Sequence, residues 1–214
     1  RAGPGQDRCV APAARRHREL PHARRRRLRR SLRSGPGPGS GNLVYVVSVS
    51  KMSRTRDFQA VTPTWVNDLS ISPITGGMKD LILDPYDPKN GAWLLGEAGA
   101  FNDTLVRTSN LDAVTPVWTT VLNSTISTSQ AGIGIVNIWR VLATITQQNL
   151  IFVLGSDNGG QKDRVWRSAD GGSTWTVGGQ IDASIEGSGG FWSSSHTPDV
   201  LFVGVSNGGS IYKS

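Results

Sequence analysis

The chain has 214 residues, a formal charge of +7, 26 glycines, seven tryptophans and a single cysteine. Its basicity is local: residues 1–41 hold 12 arginines against Asp7 and Glu19, for +10, whereas residues 42–214 hold 11 basic and 14 acidic residues, for −3. Cys9, His17 and His22 fall in the basic stretch and only His196 outside it, which excludes a disulfide framework, a Cys/His zinc site and a cysteine nucleophile from residues 42–214.

Residues 1–41 set arginine clusters (Arg15-Arg16, Arg24 to Arg27) among Ala, Pro and Gly and end in Ser34-Gly-Pro-Gly-Pro-Gly-Ser-Gly41. Such a segment repels itself and has little to bury, so it is expected to be a disordered tail or linker. No aromatic residue interleaves the arginines, as a single-strand nucleic-acid binder would require. Nucleic acid is not an expected partner of the acidic remainder. No apolar run reaches the roughly 18 residues of a membrane helix.

From residue 42 the chain repeats itself. Asn42-Leu-Val-Tyr-Val-Val matches Asn90-Gly-Ala-Trp-Leu-Leu, Asn149-Leu-Ile-Phe-Val-Leu and Asp199-Val-Leu-Phe-Val-Gly, at spacings of 48, 59 and 50 residues. Ala60-Val-Thr-Pro-Thr-Trp65 recurs as Ala113-Val-Thr-Pro-Val-Trp118, and Ser173-Thr174-Trp175 takes the same place later. Each unit is a turn residue, a short β-prone run, then small and polar residues. The units are read as 42–65, 81–118, 142–178 and 190–214. No stretch carries the apolar i, i+3, i+4, i+7 pattern of a long helix, and Gly, Asn, Asp, Ser and Thr punctuate short Val/Ile/Leu/Trp runs. In the third unit strands are expected at 150–155, 164–168 and 174–178, around a turn at 169–173, with the next unit's first strand near 189–195. The predicted fold is all-β: about three and a half four-stranded blades of a partial β-propeller, since units of 40–60 residues with several strands suit a blade.

Ser168-Ala-Asp170-Gly-Gly172-Ser-Thr174-Trp175 carries Ser-x-Asp-x-Gly-x-Thr-Trp at every fixed position. This resembles the Asp-box of bacterial neuraminidases and related β-propellers, including xyloglucanase-type glycoside hydrolases and sortilin-like receptors. The phrase Lys79-Asp-Leu-Ile-Leu-Asp-Pro-Tyr-Asp-Pro88 is similar to one preceding the second strand in the latter two groups. The resemblance covers residues 42–214 and implies that Ser168, Asp170, Gly172, Thr174 and Trp175 are structural. Arg54-Thr-Arg-Asp57 before Trp65 and Arg107-Thr-Ser-Asn110 before Trp118 read as degenerate copies. Ser214 aligns with Ser168, so the sequence reads as ending just before another box, with further blades expected in a longer parent chain rather than from partner copies.

The resemblance also implies an exported, carbohydrate-active protein, hydrolysing O-glycosyl bonds with paired carboxylates, or alternatively a non-enzymatic propeller that binds a protein or other ligand. No metal or cofactor is implied. Six arginines (54, 56, 107, 140, 164 and 167) and Tyr45, Tyr86 and Tyr212 do not assemble a sialidase site. Asp80, Asp84, Asp87, Glu97, Asp103, Asp157, Asp163, Asp182 and Glu186 are candidate carboxylates for a glycosidase, with no pair singled out. Trp93, Phe101, Trp139, Phe191 and Trp192 could stack on sugars. Trp192, between glycines and serines, is the residue singled out for substrate binding. Asn102 and Asn123 begin formal glycosylation sequons, and His196 is expected in a turn.

Overall fold

The computed structural model describes residues 43–48, 51–69, 71–99, 102–159, 162–181, 190–204 and 211–213. The expectations for residues 1–41, Phe101, Asp182 and Glu186 lie outside the described residues. Among the described residues, fourteen strands form four antiparallel sheets, taken strictly in chain order. The first holds β1 (Val44–Val47), β2 (Met52–Thr55) and β3 (Trp65–Leu69). The second holds β4 (Met78–Leu83), β5 (Ala92–Glu97), β6 (Asp103–Thr108) and β7 (Thr119–Leu122). The third holds β8 (Ile135–Ala143), β9 (Ile151–Asp157), β10 (Asp163–Ser168) and β11 (Thr176–Gln180). The fourth holds β12 (Phe191–Ser193), β13 (Leu201–Gly204) and β14 (Ile211–Lys213). Every sheet is an up-and-down meander, which short polar connections favour.

The repeated apolar run is the strand buried most deeply. β9 is buried at all seven positions and β5 at five of six. Alternation explains how a strand can be apolar throughout: successive side chains point to opposite faces, and both faces are covered. In β9, Ile151 and Val153 join the core against the second sheet, while Phe152 and Leu154 join the core against the fourth. In β5, Ala92 and Leu94 face the first sheet, while Trp93 and Leu95 face the third. Sheets one to four therefore pack face on face in chain order, through three apolar layers. Contacts also join the leading strands, β4 with β8 and β8 with β12.

The expected strands of the third unit are present with ends displaced by two residues or fewer, and its leading strand, β8, lies at Ile135–Ala143. The sheets run wider than the sequence units, because only the second strand and the tryptophan turn repeat residue by residue. Flanking strands such as β11, whose pattern is mostly exposed, tolerate any β-compatible residue and keep no signature. Among the described residues one short helix interrupts the all-β pattern, α1 (Ser124–Ala131), between the second and third sheets. It has no apolar stripe to find in the sequence. The Asn123 side chain caps it by accepting from the Ile126 N–H, Gly132 ends it in the left-handed region, and the buried Ser127 hydroxyl accepts from Ile135 N–H at 2.8 Å. No helix among the described residues is long and apolar enough to cross a membrane.

Candidate functional site

The tryptophan turns lie at one end of the strands. At Ser168–Trp175 the Asp170 carboxylate accepts from Ser168 Oγ (2.8 Å), Thr174 N–H (2.9 Å) and Thr174 Oγ1 (2.6 Å), and Ser168 Oγ accepts from Gly172 N–H (2.8 Å). Gly171 and Gly172 adopt φ of 76° and 103°, a region that side chains resist. Trp175 enters the core between sheets two and three, and its Nε1 donates to Val121 O at 2.7 Å. Burial alone would raise the Asp170 pKa, but the bonds from Thr174 and Ser168 outweigh it and hold the carboxyl at about 2.

The two degenerate turns keep two of these bonds, hydroxyl to Asx and backbone N–H to Asx. Thr55 Oγ1 donates to Asp57 Oδ1 (2.6 Å), which also accepts from Thr64 N–H (2.8 Å) just before Trp65. Thr108 Oγ1 donates to Asn110 Oδ1 (2.8 Å), which accepts from Val117 N–H (2.8 Å) just before Trp118. The arginine ahead of each hydroxyl reaches the following sheet. Arg54 Nη1 donates to Leu111 O at 3.0 Å and Arg107 Nη1 to Gly171 O at 3.2 Å, each acceptor being the residue after the Asx. Arg167 instead pairs with Asp199, Nε to Oδ1 at 2.6 Å. These arginines fasten sheet to sheet, a role consistent with their repeated positions in the sequence. Asp84 belongs to the same end, where its carboxylate accepts from Tyr86 N–H (2.9 Å), and Asp87 caps Asn90 in the next turn.

The opposite ends of β5, β6, β9 and β10 carry a charged cluster. Glu97 and Asp103 face each other across β5 and β6. Lys79 on β4 joins them, its Nζ lying 2.5 Å from Asp103 Oδ1 and 3.6 Å from Glu97 Oε1. The other Asp103 oxygen accepts from Ile138 N–H on β8 at 2.6 Å. In the third sheet, Asp163 accepts from the Trp139 indole at 3.1 Å, and Asn137 donates to Ser156 Oγ at 3.0 Å. Asp157 accepts from Arg164 Nε (2.6 Å), Gly159 N–H and Lys162 N–H; burial opposes ionisation there, yet these bonds bring its pKa below the ordinary carboxylate value. Glu97 is only part-buried and Arg140 is exposed, so this end presents both charges to solvent beside the partly buried Trp139.

Asp103 and Asp163 are counterparts, each four residues before the arginine of its turn, a spacing present in the sequence but not singled out from it. Lys79 was missed because a cation partner of two acids is recognised only through cross-strand register. Of the aromatic candidates, Trp93 and Phe191 are core residues and Trp139 is partly buried. Trp192 is exposed on β12, its ring lying over Gly190 and close to Gly204. His196 sits in a turn, its backbone N–H donating to Ser194 Oγ at 3.2 Å.

An apolar cleft of about 550 Å³ between β10–β11 and β13–β14 is lined by Phe152, Val177, Gly178, Leu201 and Tyr212 among others. Gly178 is the counterpart of Val121, whose carbonyl Trp175 engages one sheet earlier. The cleft's position is that of a turn tryptophan, and its walls also carry Arg167, Thr176, Gln180, Asp199 and Lys213. No group of three or more His, Cys, Asp or Glu able to hold a metal exists among the described residues. No protein-family model matches the chain, and no curated protein sequence matches it.

Proposed function

We propose that residues 42–214 are part of an Asp-box β-propeller of an exported protein that binds carbohydrate at the charged strand ends opposite the Asx turns. Support for the propeller comes from three turns with one bonding scheme in successive sheets, and from the leading strands meeting in order. The observation that carries the binding role is how the acids are used. Asp157 and Asp163 are buried and each accepts bonds from neighbouring strands or loops, so they brace the strand ends instead of trading protons. Glu97, Arg140, Asn137 and the Trp139 edge then offer the mixture of acceptors, donors and aromatic surface that suits a polyhydroxylated ligand.

Affinity electrophoresis in gels containing xyloglucan, β-glucan or sialylated glycoprotein tests this. Retarded migration in one gel, relieved by Glu97→Gln, is expected; unretarded migration in all of them overturns the reading. A hydrolytic reading is favoured by one feature, the shared Lys79. Oxygens that share one ammonium at these distances are at most about 6 Å apart, near the roughly 5–5.5 Å of a retaining glycosidase pair. Reducing-sugar release that disappears in Glu97→Gln would establish hydrolysis; retardation without release leaves binding as the activity.

A further inference from the structure

Apolar exposure is divided unequally between the two ends of the strands. The second and third sheets each have a sheet packed on both faces, so exposure there is not owed to the edge of the stack. Among the described residues of these two sheets and their connections, the exposed large hydrophobic side chains are Leu83, Tyr86, Val114, Val117 and Ile145. All five lie at the end of the Asx turns. Leu83 pairs with Ala92, and Ala92 with Thr108, which opens the second turn. Tyr86 and Ile145 occupy the β4–β5 and β8–β9 connections, where the Tyr86 hydroxyl donates to Ile145 O at 3.0 Å. Val114 and Val117 occupy the β6–β7 loop. At the opposite end these sheets expose Arg140 and part of Glu97 instead. Single exposed apolar residues are ordinary on a protein surface; their collection at one end is not.

The turns do not need these valines. Four residues separate Asp170 from Trp175, whereas seven separate Asn110 from Trp118, and the longer loop holds Ala113-Val-Thr-Pro116. Its backbone is pinned. Ala113 N–H donates to Asn110 O and Ala113 O accepts from Arg54 Nη1, both at 2.8 Å, and Pro116 is buried. Val114 is nevertheless 86% and Val117 66% exposed. The first Asx turn carries Ala60-Val-Thr-Pro63 at the same place, and its Val61 is wholly exposed. A stiff β-branched side chain displayed on a fixed loop loses little entropy when it docks.

Charge identifies what it docks on. β1 starts at the turn end, since Val44 pairs with Thr55, so the peptide link to the arginine-rich residues 1–41 is made there. Those residues sum to +10 and the remainder to −3, so any attraction to an anionic surface must come from the arginines. Shallow apolar insertion and a polybasic segment are each marginal anchors, and stable attachment to a bilayer takes two such signals.

We propose that the turn end rests on an anionic lipid surface, with the Val61, Val114 and Val117 tips and the Tyr86–Ile145 pair in the interfacial layer and the arginines of residues 1–41 supplying the attraction. The charged strand ends then face away from the bilayer. The proposal does not depend on which ligand, if any, those ends bind.

Sedimentation of the full chain with vesicles tests it. The chain is expected to pellet with vesicles of phosphatidylcholine and phosphatidylglycerol in equal parts, and to stay in solution with phosphatidylcholine alone. Added salt weakens the partition. Replacing Arg24, Arg25, Arg26 and Arg27 together by Gln weakens it at least about tenfold. Val114→Asp with Val117→Asp, at exposed positions, releases the chain without altering its circular dichroism. In a Cys9→Ser background, a polarity-sensitive thiol dye on Val114→Cys shifts to the blue when the mixed vesicles are added. The same dye on Asn102→Cys, exposed at the opposite end, does not. Failure to pellet with the mixed vesicles overturns the proposal, whether or not the chain retards duplex DNA. Undiminished pelleting of the double Asp variant, or an equal blue shift at Asn102→Cys, overturns it as well.

Discussion

Asp170 shows how one side chain can set a turn. Its two oxygens take three protons from Ser168 and Thr174, while two left-handed glycines bring the chain round in four residues. Asp170→Ala removes all three bonds and should cost about 1 kcal/mol, the usual scale for a lost cap. Because the folded pKa of about 2 lies below the ordinary carboxylate value of 3.8, ionisation of Asp170 favours folding. That contribution is complete above about pH 4 and is lost as pH falls towards 2. Asp170→Asn keeps one acceptor, as Asn110 does in its own turn, but does not titrate. Thermal melts between pH 2 and 5 should therefore show a shallower acid dependence for Asp170→Asn than for the unsubstituted chain. An identical dependence would assign the acid sensitivity elsewhere. Gly172→Ala should destabilise by more than about 1 kcal/mol, since its φ of 103° excludes a side chain and an added Cβ would lie 2.9 Å from Val121 Cβ.

Between elements, stability comes from apolar layers pinned at their edges by polar bonds. Arg54 is buried, yet its Nη1 donates to both Leu111 O and Ala113 O, at 3.0 and 2.8 Å. Arg54→Met keeps much of the bulk but strands two carbonyls, for an expected loss of about 2–3 kcal/mol in urea unfolding. A loss near zero would mean that water replaces the guanidinium. Trp175→Ala should cost about 3–5 kcal/mol by opening a cavity between the second and third sheets. Trp175→Phe should cost less, because it keeps most of the ring and loses only the Nε1 bonds to Val121 O and Gly172 O. At this scale the sequence was readable where a residue acts locally. The Ser-x-Asp-x-Gly-x-Thr-Trp turn is legible because the bonds that shape its loop, among Ser168, Asp170, Gly172 and Thr174, span four residues or fewer. The equivalence of Thr55–Asp57 and Thr108–Asn110 was visible only as a degenerate rhyme, since their loops are three residues longer and lack glycine. The bond geometry restores it.

Over the whole molecule, burial on both faces separates the inner sheets from the outer ones. Amide exchange followed by mass spectrometry should find β5 and β9 protected longest, and β1 and β14 exchanging sooner.

The sequence by itself determined that residues 42–214 read as short strands in four repeating units, with a tryptophan turn in three of them and the net basic charge confined elsewhere. Those features follow from alternation, turn chemistry and composition, which act over a few residues. Tertiary structure alone decided which of many acids share a cation and which arginines clamp the following sheet. Lys79, Glu97 and Asp103 are separated by turns in the chain and meet only through strand register. Val46 and Leu94 look alike in sequence. They differ in burial because the first sheet packs on Leu94, whereas Val46 lies on the face of the first sheet turned away from that layer.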